Sequence, residues 1–385
     1  MFILENPYVS NLLRNTIEKK NYDVVLNDIS SELGFSEDVV LRNDEESIMN
    51  YRDKKLLYTN SENSIEWIVE NLTSSDIVEY IDIFKNKYRF RELIRSIFPD
   101  FQFMEINIDD IDSMDISQFK KPFIIKPKYG FLSIGVYTIY NDDNWQEAVK
   151  EIKENTESNG NLFPKEVISP TNYIIEEFIQ GTEYAVDAYY DKEGEPVVIN
   201  ILEHKFSSSK DVSDRLYITS KKIIEENLQR ITAFLKKLGD ILHIKSFPLH
   251  IEVRIDNNQL IPIEINPMRF AGWCTTDIVY YAYGINPYEY FIEQKKPIWK
   301  NILADKEGKI YSVIILDKPK DIHAKDIKYF DYDSLIKKLN NVIECRKTDI
   351  AKYPIFGMLF TETPEDNDNE LKEILTNNLK DFIHL

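Results

Sequence analysis

Glycine is scarce in this chain, with 11 residues in 385, where an average protein would carry roughly 7%. The turn after the first apolar segment, Glu5-Asn6-Pro7, contains none, which excludes the glycine-rich fingerprint of a dinucleotide site there. Cysteine is scarcer still. Cys274 and Cys345 are the two present, far apart and without metal-type spacing, so neither a disulfide framework nor a zinc site is expected. Positive charge is in deficit: 47 Lys and Arg face 66 Asp and Glu, for a net charge of −19. Nucleic acid and anionic membranes both call for basic surface, so neither is an expected partner. No run of about 18 apolar residues occurs, and the first residues, MFILENPYVSNLLRN, lack a basic segment leading into a long apolar one. Neither a membrane span nor a signal segment is expected, and a reducing cytoplasm is the expected setting. A serine or cysteine nucleophile paired with a histidine base is also missing from the pattern.

What is present can bury large cores. Hydrophobic residues make up 43% of the chain, and the length suits two or three domains. Residues 1 to 85 open with an apolar strand (2–4), a helix from about 10 to 20 and a second strand (22–26), the start of an open α/β unit. Residues 83–97 show helical apolar spacing and stop before Pro99. KPFIIKPKYGFLSIGVYTIY reads as strand, loop and strand, with Lys126 ending the first strand and Gly130, Ser133 and Gly135 in the loop. A helix follows near 145–153, then a polar stretch at 155–160, then two strands in NYIIEEFIQGTEYAVDAYY. A helix around 222–238 precedes PLHIEVRIDNNQLIPIEINPMRFAG. The last part, from about Asn301, has a strand-like YSVIIL and an acidic turn, TPEDNDNE, before a final helix. The expected divisions are 1–85, 86–170, 171–300 and 301–385.

The segment from Pro248 to Gly272 gathers charge on one face of a hairpin. Leu249, Ile251, Val253 and Ile255 alternate with His250, Glu252, Arg254 and Asp256, and Ile261, Ile263 and Ile265 alternate with Pro262, Glu264 and Asn266. A three-residue turn, 257–259, pairs Asp256 with Leu260 and sets Glu252 opposite Glu264 and His250 opposite Asn266. A two-residue turn would put the apolar sets on opposite faces. Two facing carboxylates repel. Beside a carboxamide oxygen they make a site for a hard divalent cation; the plain alternative is a solvated polar face with a tolerated acidic pair.

The order of Lys87, Lys126 with its loop, Glu176 to Glu183 and this hairpin resembles the ATP-grasp superfamily over roughly residues 85 to 290. The resemblance implies an α/β and α+β protein: an N-terminal open α/β domain, two α+β subdomains clamping ATP, and a small C-terminal α+β extension. It implies that Lys87 and Lys126 neutralise phosphates and that the loop containing Ser133 and Gly135 closes over them. Glu176, Glu177, Phe178 and Ile179 match the adenine-binding hinge, and Glu183 matches the carboxylate that holds the ribose. Glu252, Glu264 and Asn266 match magnesium ligands, with Glu264 bridging two ions and manganese as a substitute metal. Arg269, which contacts phosphate and the activated carboxylate, forms the expected catalytic set with Lys126 and Arg254. The run Arg269 to Trp273 is similar to bacterial L-amino-acid ligases. The implied activity is ATP-dependent activation of a small carboxylic acid as an acyl phosphate and its coupling to an amine, with small-molecule partners and a homodimer expected. Phosphate transfer to a hydroxyl, or nucleotide binding without catalysis, stand as the alternatives. Residues 203–220 match no motif. Taken singly, each residue also has an ordinary structural reading, Lys87 as an exposed helix lysine and Arg269 as an ion-pair partner of Glu252 or Glu264.

Overall fold

The structure is a computed structural model that describes residues 1–130, 135–159, 171–208, 211, 213–257 and 259–385. Three larger sheets and a two-stranded one organise the described residues. The N-terminal one is parallel and four-stranded: β1 (Phe2–Ile3), β2 (Val24–Val25), β3 (Leu41–Arg42) and β4 (Tyr58–Thr59), in the order β3-β2-β1-β4. Its first helix, Asn11–Lys20, starts where Ser10 caps the Leu13 amide and ends at Asn21 in a left-handed conformation; both are ordinary helix boundary signals.

The second sheet is antiparallel, with β5 (Phe103–Asn107), β6 (Phe123–Pro127), β7 (Tyr137–Ile139) and β8 (Asn172–Glu177) in the order β5-β8-β6-β7. The helix Asp142–Asn159 accompanies it, running through most of the polar stretch expected at 155–160. Trp145, Val149 and Ile152 are buried in one core with Phe123, Ile125 and Ile175.

The third sheet carries β9 (Thr182–Tyr190), β10 (Pro196–Lys205), β11 (Leu216–Ser220), β12 (Phe247–Asp256), β13 (Gln259–Pro267) and β14 (Lys309–Asp317). Four strands follow: β15 (Tyr329–Phe330), β16 (Val342–Lys347), β17 (Ile355–Pro364) and β18 (Ile383–His384). β15 and β18 pair with each other. β16 and β17 join the large sheet, whose order is β13-β12-β9-β10-β11-β14-β17-β16. The expected divisions at 170 and 300 therefore do not follow the sheets. Residues 172–177 belong to the small sheet, and the strands beyond 301 extend the large one. Hydrogen bonding across a sheet is non-local, and a strand's own residues do not name its neighbour. The helix Lys221–Leu242 covers one face of this sheet, where the Tyr190 hydroxyl donates to the Leu235 carbonyl at 2.7 Å. Glu183 and Asp187, of opposite parity to Tyr190 on β9, point to the other face. No described helix is long and apolar enough to cross a membrane.

Two local expectations are corrected. The helix expected over 83–97 is two helices, Asp76–Lys85 and Lys87–Leu93, because Asn86 leaves helical geometry and its side chain caps the Arg89 amide at 3.1 Å. Lys87 thus opens a new helix. In the hairpin, Asp256 pairs with Gln259 rather than Leu260, so the connection has two residues and not three. A β-bulge between the Glu252 and Val253 pairings leaves Ile263 as the extra residue and restores Glu252 opposite Glu264 and His250 opposite Asn266. The bulge flips side-chain parity: Leu260, Pro262 and Ile265 are buried, whereas Ile261 and Ile263 are half-buried.

Candidate active site

Hairpin β12–β13 and its neighbours arrange the site in cross-strand rows. One row pairs Glu183 on β9 with Arg254 on β12, and His204 on β10 hydrogen-bonds to that Glu183. The next places Ala185 beside Glu252, which faces Glu264. The third sets Asp187 beside His250, which faces Asn266. Each row is one residue pair deep, so groups two apart along a strand lie on the same face.

The middle row carries the unrelieved charge. The side chains of Glu252 and Glu264 are 29% and 23% exposed, and both lie on the lip of the hairpin. Burial and the facing Glu264 push the Glu252 carboxyl well above its usual range. Burial also opposes charge on Glu264, but Lys87 and Lys126 outweigh it and hold that carboxyl low. Lys87 Nζ lies 3.4 Å from Glu264 and donates to the Gly130 carbonyl at 3.0 Å. An acidic pair joined by the Asn266 carboxamide is an all-oxygen donor set, and the cost of charging Glu252 is the cost a divalent cation removes. The residues fit magnesium.

Behind them lies a buried ion triad. Glu176 accepts from Lys126 Nζ at 2.5 Å through one oxygen and from Arg91 Nε at 2.8 Å through the other. All three side chains are at most 5% exposed. The two cations outweigh burial and lower the Glu176 carboxyl to about 2. Burial, with Arg91 and Lys87 as like charges, pulls Lys126 below its usual value despite Glu176. Arg91 also donates to the Pro262 carbonyl at 2.7 Å and the Ile263 carbonyl at 3.5 Å, and it stacks on Phe101 with its guanidinium 4.5 Å from the ring centre. The backbone groups freed by the bulge are thereby satisfied.

At the hinge, Glu177 turns away and accepts from the Gln102 amide at 2.7 Å. Phe178 lies 5.2 Å from the Arg254 guanidinium, and the Ile179 carbonyl accepts from Arg254 at 2.8 Å. Gly181 has φ +106°, and a Cβ there would sit 2.3 Å from the Ile255 carbonyl oxygen; only glycine lets β9 approach β12 so closely. Arg254 grips Glu183 at 3.0 and 3.1 Å. The strand carries it to the hinge end of the face, opposite the end where Arg269 follows. Gly135 has φ +74° and packs on Pro127, whereas Ser133 lies outside the described residues.

Arg269 pairs with neither Glu252 nor Glu264. Its guanidinium binds Glu62 at 2.5 Å, and Glu62 also takes Lys85. The two cations hold the Glu62 carboxyl far below its usual range against the opposing effect of burial. The Thr59 amide donates to the Met268 carbonyl at 2.9 Å, which ties the N-terminal sheet to the same corner. Beyond Arg269, Trp273 and Cys274 are both left-handed, with φ near +56° and +54°. The buried Arg346 holds this turn by donating to the Cys274 carbonyl at 2.9 Å and to Asp277 at 2.6 Å. Burial pushes the Cys274 thiol up to about 11, so it is an inert thiol.

The family described as ATP-grasp domain matches residues 119–277. The chain carries an ATP-grasp domain. Alanine–anticapsin ligase of Bacillus subtilis (strain 168) is 25% identical over 182 residues, which span 44% of this chain and 38% of the relative. The chain thus matches well under half the length of that curated relative. Among solved structures, L-amino acid ligase from Bacillus licheniformis superposes with a TM-score of 0.66 at 16% identity, covering 100% of this chain and 97% of that one. N5-carboxyaminoimidazole ribonucleotide synthetase from Thermotoga maritima gives 0.64 at 14% identity, covering 99% and 98%. At such identities the superpositions establish the ATP-grasp fold, with its mixed α/β and α+β content.

Within the ATP-grasp frame, four functional neighbours escaped the sequence reading. Arg91 reads as a surface arginine on an amphipathic helix, and its only signal is its place one turn after Lys87. Glu62 and Lys85 are distant from Arg269 in sequence, so their meeting has no local signal. His204 lies in the unassigned 203–220 segment, where a lone histidine in an alternating strand reads as filler.

Proposed function

We propose that this chain is an ATP-dependent ligase that activates a small carboxylic acid as an acyl phosphate and couples it to an amine, releasing ADP and phosphate. The carrying observation is the Glu252–Glu264 pair, two carboxylates built face to face with Asn266 and flanked by Lys87 and Lys126. A structural sheet has no use for that repulsion, whereas divalent cations carried with a nucleotide triphosphate would supply the missing positive charge. Magnesium, as two ions with manganese as a substitute, would be held by Glu252, Glu264 and Asn266 and would neutralise developing charge on the transferred phosphoryl group.

The chain's own residues account for the rest. Lys87 and Lys126 converge on the phosphate side of the hairpin and lower the repulsion between the triphosphate and an incoming carboxylate. Glu183 faces the ribose end, with Phe178 and the Ile179 backbone beside the base. Arg269, at the opposite end, orients the carboxylate that attacks the terminal phosphate. That carboxylate oxygen forms the new bond to phosphorus as the bond to the ADP oxygen breaks. The amine then displaces phosphate at the acyl carbon, so no protein nucleophile is required. Small-molecule substrates, a cytoplasmic setting and a homodimeric state belong to the same reading. With ATP, magnesium and a panel of acids and amines, phosphate release should require an acid, and Glu264→Gln should reduce it at least a hundredfold. Unchanged release in that variant would overturn the assignment of the metal face.

A further inference from the structure

His204 occupies a position that the reaction as described does not explain. Its side chain is only 4% exposed, yet it makes two polar contacts. Nδ1 lies 2.9 Å from a Glu183 oxygen, and Nε2 lies 3.0 Å from the Ser213 carbonyl oxygen. Both partners are acceptors, so a ring that makes both hydrogen bonds must donate from both nitrogens, which only the imidazolium form does. The ring is clamped between Tyr217, stacked at 4.2 Å with planes 19° apart, and Phe206 at 4.0 Å. Its plane is thereby set before any ligand arrives.

The charges around it are consistent with a cation. Asp214 lies 4.0 Å from Nε2, and the Tyr217 hydroxyl donates to that same Asp214 at 2.7 Å. Across β9, Arg254 takes the other Glu183 oxygen. His204 and Arg254 therefore hold Glu183 from opposite sides, and together they outweigh burial and keep its carboxyl low. The Ser213 end is itself ordered, because Asp211 accepts from the amides of Ser207 and Ser213 at 2.8 and 2.9 Å and from both their hydroxyls at 2.7 Å. Asp211 thus brings Ser207 and Ser213 together, and the Ser213 carbonyl meets the histidine.

We propose that His204 is a positioning residue, an imidazolium that fixes the Glu183 carboxylate for a nucleotide's ribose hydroxyls and ties the Ser213 backbone to the same point. The inference rests on the nucleotide reading above for the identity of the ligand. Its logic is geometric: a carboxylate with one oxygen gripped by Arg254 and the other by His204 cannot rotate, so its remaining lone pairs face the groove in a single orientation. Loss of His204 frees one oxygen and lets the carboxylate collapse onto Arg254.

The test compares ATP with 2′,3′-dideoxy-ATP, which lacks the hydroxyls Glu183 would hold, by calorimetry in the presence of magnesium. His204→Phe keeps the aromatic stack and removes both donors; His204→Gln retains one donor. We expect His204→Phe to weaken ATP roughly tenfold or more, the scale of one hydrogen bond to a charged group, to leave dideoxy-ATP within about twofold, and His204→Gln to recover part of the ATP loss. Equal losses for both nucleotides, or no loss for either, would overturn the proposal. Nitrogen-15 spectra of the histidine ring in the free protein supply a second readout that needs no nucleotide: both His204 nitrogens should carry hydrogen-bonded protons, and a ring nitrogen without one would contradict the two-donor assignment. If the unsubstituted chain binds neither nucleotide, the function reading fails first and this assignment fails with it; if it binds ATP and only the variant comparison is flat, this assignment alone fails.

Discussion

Replacing Arg91 with methionine removes the member of the buried triad that joins the hinge to the hairpin. In the folded chain the Glu176 carboxyl is lowered from 4.5 to about 2 by Arg91 and Lys126 against the opposing pull of burial. At roughly 1.4 kcal/mol per pH unit, that is about 3 kcal/mol in favour of the charged carboxylate. Arg91 is the larger of the two electrostatic contributions. Its loss also strips a donor from the Pro262 carbonyl, and a buried acceptor left unpaired costs about 1–3 kcal/mol. Methionine refills part of the volume but none of the polarity, so a destabilisation of about 3–5 kcal/mol is expected, as for other broken buried pairs. Urea unfolding followed by tryptophan fluorescence measures it. The sign with pH follows from the direction of the shift. Because the folded value is depressed, the Glu176 contribution is complete above the unfolded carboxyl value near 4.5 and disappears as pH falls toward about 2. Arg91→Met should flatten that part of the acid dependence. Arg95→Met, which breaks a pair with Glu92 whose side chains are 50% and 41% exposed, should leave the midpoint where it is. A loss under about 1 kcal/mol in Arg91→Met, or an unchanged acid slope, would refute the triad as a structural clamp.

Two further substitutions follow from the same geometry. Gly181→Ala must hold alanine at φ +106° and place its Cβ 2.3 Å from the Ile255 carbonyl oxygen; a cost of about 3 kcal/mol is expected, with weaker ATP binding because Glu183 moves with the strand, and unfolding within about 0.5 kcal/mol of the parent would count against it. Lys87→Met removes the cation 3.4 Å from Glu264 and should weaken ATP by about 1.5–3 kcal/mol, the worth of a charged hydrogen bond, in calorimetry with magnesium; an unaltered affinity would move the triphosphate away from this end of the hairpin.

The local part of the fold was legible in the sequence. Strand alternation placed Glu252 opposite Glu264 and His250 opposite Asn266, because apolar and polar sets must stay on their own faces of a buried sheet. The same argument gave the wrong turn. It assumed an unbroken ladder, and Ile263, the extra residue of the bulge, carries no glycine or other mark of irregularity. The break at Asn86 was hidden by apolar spacing that continues across it. Arg91, Glu62 and His204 depended on partners 85, 207 and 21 residues away, and no local pattern encodes such meetings. YSVIIL was recognisable as a strand, whereas its membership of the large sheet depends on edges supplied by distant parts of the chain.

The central claim is that a carboxylate attacks the terminal phosphate of ATP at the Glu252–Glu264 face, and trapping with hydroxylamine tests it most directly. The chain is incubated with ATP, magnesium, hydroxylamine and each member of a panel of small carboxylic acids, and ADP and hydroxamate are measured together. The account predicts that at least one acid yields hydroxamate in equal amount to ADP, and that Glu264→Gln yields neither. Formation of ADP with a phosphate ester of a hydroxyl compound and no hydroxamate would contradict it.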